Sequence, residues 1–154
     1  AFDPFAKKEG LPEYIQLVED RDEIFKQSDY VSLHVPATPE TVHSVSDREF
    51  DLMKETAYLI NAARGSIVDE PALIRALQMG KIAGAGLDTV EKEPIDPNNP
   101  LVSMDNVLTA PHIGGATKEA SSRSSLACAQ AIDDFFSGRT PKFVVPELRD
   151  LLQK

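Results

Sequence analysis

Three side chains of the 154-residue chain, Arg64, Glu93 and His112, are of the types that handle small acids and protons. Arg64 follows the apolar run Ala57–Ala63 and precedes Gly65. A guanidinium is a planar fork that grips a carboxylate through two hydrogen bonds, or simply caps a strand in solvent. His112 lies in Pro111-His112-Ile113-Gly114-Gly115. Imidazole is the side chain best matched to proton transfer near neutral pH, and the two glycines allow a ligand to approach the backbone. The bland alternative is a loop histidine that hydrogen-bonds locally. Glu93, before Pro94, would orient His112 and complement its protonated form if the two meet; otherwise it belongs to a solvated loop with Glu91 and Lys92.

These residues share a position in the chain pattern. Each follows a β-rich run: Tyr30–Val35, Ala57–Ala63, Ile82–Thr89 and Asn106–Ala110. Asp88 ends the third run, and His34 lies near the end of the first. Between the runs lie helix-like stretches. Glu19–Gln27 is one. Ser46–Lys54 carries Phe50 and Met53 at helical spacing. A third opens at Asp69 with Pro71 in its first turn, presents Leu73, Ala76 and Leu77, and stops at Gly80. The longest opens at Thr117 and ends at Gly138; Cys128 falls on its apolar row with Ile132, which predicts core packing rather than nucleophilic chemistry. Tyr14–Val18 reads as a further short strand. Near-continuous apolar strands alternating with helices predict an α/β fold, a doubly wound parallel sheet. In such sheets ligands bind beyond the carboxyl ends of the strands, where these polar residues fall.

Composition narrows the function. With 16 Lys+Arg against 25 Asp+Glu, the net charge of −9 disfavours nucleic acid and anionic membrane as partners. One cysteine forms no intramolecular disulfide and no zinc cluster, and no two histidines have metal-ligand spacing, so no metal site is expected. No apolar run approaches the ~20 residues of a membrane span. Together these features predict a cytoplasmic protein. His43 sits in a polar loop without an evident partner, and Lys7-Lys8 reads as a solvated pair.

Four segments in order carry a resemblance: 28–36 (SDYVSLHVP), 61–70 (NAARGSIVDE), Gly84–Asp88 with Glu93-Pro94, and 111–117 (PHIGGAT). Together they are similar to the D-isomer-specific 2-hydroxyacid dehydrogenases, over nearly the whole chain. The resemblance implies an oxidoreductase that passes a hydride between NAD(H) and a D-2-hydroxy acid / 2-oxo acid pair, working as a homodimer. It places the catalytic trio on Arg64, Glu93 and His112. It also implies that Asp3 holds the adenosine ribose, that His34-Val35-Pro36 and Ala62-Ala63-Arg64 line the cofactor, that Asp88 holds the nicotinamide carboxamide, and that His112 and Gly114-Gly115 border the nicotinamide. An acid at Asp3 would repel a 2′-phosphate, which favours NAD over NADP.

The sequence departs from that family's pattern twice. Val90 stands where an aromatic residue is usual, and no Gly-x-Gly-x-x-Gly turn occurs. The implied Rossmann-type sheet is therefore incomplete at its N-terminal side. Its third strand would face the fourth across about 14 Å, at ~4.8 Å per strand step. The expectation is that residues 1–140 form most of an NAD-binding domain, that 141–154 is a tail returning to a substrate domain, and that the whole is the C-terminal part of a longer enzyme. Two other readings remain: a dinucleotide-sensing corepressor of the same fold, which keeps the same trio, and a fragment that is inert when isolated.

Overall fold

The computed structural model describes residues 1–145 and Leu148. It divides into two units, Ala1–Ile113 and Gly114–Lys154. In the first unit the strands β1 (Tyr30–Leu33), β2 (Tyr58–Asn61), β3 (Gly84–Leu87) and β4 (Val107–Thr109) form one parallel sheet in the order β1-β2-β3-β4. The helices are α1 (Arg21–Gln27), α2 (Asp47–Leu52), α3 (Glu70–Gln78) and the short α4 (Pro100–Ser103). Strand–helix alternation gives the α/β, Rossmann-like sheet that the sequence predicts, but its four strands are direct neighbours and the expected gap of about 14 Å does not occur among them.

Register explains which face carries the core. Val31, Leu59, Ala85 and Val107 stand side by side, and two residues on, Leu33, Asn61, Leu87 and Thr109 form a second row on the same face. Val31, Leu59, Ala85 and Leu87 are buried together with Phe25 of α1, Phe50 of α2, and Leu73, Ala76 and Leu77 of α3. Each such aliphatic or aromatic side chain gains ~1.5–3 kcal/mol on leaving water, so this face secures the sheet. The opposite face is thinner. Tyr30 and Tyr58 stack at 5.6 Å between ring centroids, the Tyr58 ring lies over Gly84, and Leu108 is 75% exposed.

Local signals set the helix ends. Asp20 accepts a bond from the Asp22 amide, Asp69 from the Ala72 amide, and Ser46 and Glu49 form a capping box. Gly80 takes φ 68° and stops α3 as expected. Ion pairs then brace the helices: Arg21 and Arg48 both meet the buried Glu49, and Arg75 meets Asp47.

Two expectations need correction. Tyr14–Val18 is not a strand. The Ala1 amine donates to Gln16 O and the Val18 amide donates to Ala1 O, so Leu17 is flanked as in a parallel ladder, but by one residue only. A strand needs that pattern to repeat, and here it does not. Nor is Cys128 in a core. The second unit holds α5 (Lys118–Phe136), capped by Thr117, and none of its residues is buried. Cys128 is exposed, as are Leu126, Ile132, Phe135 and Phe136. No other helix or strand among the described residues of that unit receives the apolar side of α5. Most of the expected tail 141–154 lies outside the described residues. Among those described, no helix is long and apolar enough to cross a membrane, and no group of His, Cys, Asp and Glu has the arrangement of a metal site.

Candidate active site

All four strands run the same way, so their carboxyl ends line one edge of the sheet. Residues 34–36 follow β1, residues 62–64 follow β2, Asp88 follows β3 and His112 follows β4. Hydrogen bonds extend the ladder past the strands and carry the polar residues with it. The Asp88 amide donates to Asn61 O, the Ala110 amide to Leu87 O, and the His112 amide to Asp88 O at 2.9 Å.

Two acids then fix the histidine. Asp88 Oδ1 accepts from the Ile113 amide at 2.8 Å, which anchors the turn on both sides of residue 112. His112 itself has φ 54°, a left-handed conformation uncommon outside glycine and characteristic of functional turns. Its Nδ1 lies 2.8 Å from Glu93 Oε2. A carboxylate only accepts, so Nδ1 carries the hydrogen and Nε2 is the nitrogen left for chemistry; Nε2 has no hydrogen bond among the described residues. Glu93 and His112 are 19 residues apart in sequence, and their pairing confirms that the loop after β3 folds back over the end of β4. A cleft of about 490 Å³ opens at this point, lined by Asp88, Glu93 and His112 with Val90, Ile95 and Thr109 among its walls.

Arg64 is held at the end of β2, two strands from His112. Asn61, only 1% exposed at the end of β2, donates from Nδ2 to Arg64 O at 3.0 Å and accepts at Oδ1 from the Ala63 amide at 3.1 Å. These bonds shape the Ala62-Ala63-Arg64 turn. The Arg64 guanidinium donates to Ala63 O and meets no carboxylate among the described residues. It is therefore an exposed cation without an internal counter-ion, suited to an anionic ligand.

The remaining expected residues are placed as follows. His34, Val35 and Pro36 are exposed beyond β1, with His34 Nε2 2.8 Å from Ser32 Oγ. Asp3 lies in an N-terminal turn, where Oδ1 accepts from the Phe5 amide. Gly114 and Gly115 open the second unit, and open space surrounds the position a Cβ would take on Gly115. The structure thus brings Asp88, Glu93 and His112 into one cleft. Asn61 went unread as a site residue, although an amide ending an apolar strand was a usable signal. His43 went unread too: its ring Nε2 lies 2.8 Å from Glu91 Oε1, a partner 48 residues away that no local pattern reveals.

The nicotinamide end of a dinucleotide fits what is present, because the cleft joins apolar walls to a fixed imidazole and a strand-end carboxylate. The phosphates would need a glycine-rich turn, which this sequence does not contain.

Comparison with known proteins agrees with this geometry. The family model described as D-isomer specific 2-hydroxyacid dehydrogenase, NAD binding domain, matches residues 1–114. A glyoxylate reductase of Thermofilum pendens is 48% identical over 126 residues, which is 82% of this chain and 37% of the relative. A D-3-phosphoglycerate dehydrogenase of Archaeoglobus fulgidus is 42% identical over 138 residues, 90% of this chain and 26% of the relative. The crystal structure of D-lactate dehydrogenase with NAD+ from Lactobacillus jensenii superposes with a TM-score of 0.86 at 33% identity, covering 94% of this chain and 47% of that one. The chain therefore spans less than half the length of each of these relatives. Its parallel sheet, its strand-end residues and the match over 1–114 make the chain a member of the D-isomer-specific 2-hydroxyacid dehydrogenase family, in its NAD-binding domain.

Proposed function

We propose that this chain forms the catalytic edge of an NAD-dependent dehydrogenase that interconverts a D-2-hydroxy acid and its 2-oxo acid. The observation that carries the reading is the His112–Glu93 pair, 2.8 Å apart in the cleft, with the cation Arg64, which meets no carboxylate among the described residues, at the end of β2 on the same edge of the sheet. Strand spacing puts the carboxyl ends of β2 and β4 about 10 Å apart, a span that a three-carbon acid and two reaching side chains can bridge. Arg64 binds the substrate carboxylate through its fork and draws electron density from the adjacent carbonyl. His112 delivers a proton from Nε2 to the carbonyl oxygen during reduction, and takes the hydroxyl proton in the reverse direction. Glu93 keeps Nδ1–H engaged, which fixes the ring and complements the imidazolium charge. When bound, NAD(H) supplies or accepts the hydride. Asp88, His112, Gly114 and Gly115 would hold its nicotinamide end, and His34, Val35, Pro36, Ala62 and Ala63 its flanks. Asp3 would hold the adenosine ribose, with NAD favoured over NADP.

The chain's share of its relatives' length supports a further part of the proposal: it acts as the C-terminal part of a longer enzyme and is inactive when isolated. A homodimer and a reducing, cytoplasmic setting complete it, supported by the apolar residues left exposed on α5 and by the free thiol Cys128. Light scattering of the complete protein checks the dimer. The central test is NADH absorbance with the complete protein and a panel of glyoxylate, hydroxypyruvate and pyruvate. Oxidation of NADH that depends on the acid, and that Arg64→Ala and His112→Ala each abolish, is expected. Undiminished turnover in either variant refutes the assigned roles.

A further inference from the structure

We infer that His43 and Glu91 form a clasp that positions Arg64 against the His112–Glu93 pair; the inference rests on the dehydrogenase reading above. Three loops meet at this clasp. The His43 ring donates from Nε2 to Glu91 Oε1 at 2.8 Å, joining the segment after β1 to the segment after β3. The His43 amide donates to Ser66 O at 2.8 Å, which ties in the segment after β2. His43 makes both bonds from a left-handed backbone, φ 51°, a conformation that this contact holds in place. Glu91 is gripped from its other side as well, since its amide donates to Glu70 Oε2 at the start of α3.

The clasp matters because of what adjoins it. Gly65 directly follows Arg64, and Glu91 is two residues from Glu93. Gly65 packs so closely on the neighbouring loop that a Cβ there would lie 1.9 Å from Val90 O and 2.6 Å from Glu91 N. The Arg64 loop and the Glu93 loop are thus in backbone contact, and His43 ties them further, its ring to Glu91 and its amide to Ser66 O. Both partners are partly exposed, at 45% and 34% of their side chains, and exposed pairs add little to global stability. The function of such a pair is therefore local geometry. Small displacements of a substrate-gripping group relative to a proton donor slow a reaction severely.

The test uses the complete protein with glyoxylate, hydroxypyruvate and pyruvate, taking the acid that wild type reduces fastest. His43→Asn tolerates the left-handed backbone but is too short to reach Glu91, while Glu91→Gln keeps the acceptor Oε1 and Glu91→Ala removes it. His43→Asn and Glu91→Ala should each lower kcat/KM about tenfold, with KM for the acid rising, the melting temperature unchanged and NADH affinity unchanged. Glu91→Gln should retain activity near wild type. The double variant His43→Asn/Glu91→Ala should be no worse than either single one, because both break the same bond. Wild-type kinetics in the single variants, or additive losses in the double one, overturn the positioning role. Amide hydrogen exchange reads the clasp without turnover: Glu91→Ala should speed exchange in 43–45 and 65–68, and unchanged exchange there overturns the clasp itself. A wild-type protein that reduces none of the three acids overturns the dehydrogenase reading, and the positioning role with it.

Discussion

Replacing Gly65 by alanine puts a methyl group where the structure has backbone. Its Cβ would lie 1.9 Å from Val90 O, 2.0 Å from Val90 C and 2.6 Å from Glu91 N. Carbon in ordinary contact sits at about 3.5–4.0 Å, so the two loops must separate by roughly 1.5 Å or more. The atoms in the way are main-chain atoms, and no rotamer change relieves the clash. Overpacking of this kind costs roughly 1–3 kcal/mol. The catalytic cost is expected to be larger still. Arg64 rides on one loop and Glu93 on the other, and a misplacement of about 1 Å can cost ~100-fold in rate. Gly86 is the control. A Cβ there would lie 3.2 Å from Ile60 Cδ1, the mobile end of a side chain, so Gly86→Ala should be tolerated. Urea unfolding measures the stability loss, and steady-state NADH oxidation by the complete protein measures the rate. Gly65→Ala matching wild type in both would refute the close approach of the two loops and, with it, the argument that they set the Arg64–Glu93 geometry.

Further outcomes are expected. Glu93→Gln should lower kcat by about 10²–10⁴-fold, since an amide does not complement the imidazolium, while urea unfolding shifts little. Asn61→Ala should cost about 1–3 kcal/mol by leaving the Arg64 carbonyl and the Ala63 amide without their partner. The same variant should raise KM for the acid, and a stability loss with unchanged KM would show that the turn does not need Asn61. Leu59→Ala, at a fully buried position in the middle of the sheet, should cost about 2–5 kcal/mol by chemical denaturation. Acid should weaken the fold through specific carboxylates. Asp22 is held below the ordinary carboxylate value by the Arg48 hydrogen bond, and Asp69 by the Ser46 hydroxyl and then the Ala72 amide. Their folded values are lowered, so their contribution is complete above the unfolded value of about 3.9 and is lost as pH falls through the folded one. Ser46→Ala should therefore flatten the stability profile below about pH 4.

The position of several candidate residues was legible in the chain as written. Arg64, Asp88 and His112 each end an apolar run, and in a parallel sheet every such end lies on one edge, so strand counting alone gathers them. The helix caps at Asp69 and Thr117 and the stop at Gly80 were legible for the same reason: each depends on hydrogen bonds or backbone freedom within a few residues. Tertiary structure decided what depends on distant segments. Tyr14–Val18 has strand composition but lacks a repeating ladder, and a ladder is a property of two segments. Cys128 lies on an apolar helix row, yet a row is buried only where another element covers it. His43 looked unpartnered because its acceptor, Glu91, lies 48 residues on, and Gly65 showed no sign of the Val90 carbonyl pressed against it. Sequence spacing encodes local geometry, which acts over one turn or one strand. The contacts that join the Arg64 loop to the Glu93 loop link segments that meet only after the sheet has formed, so the fold alone determines them.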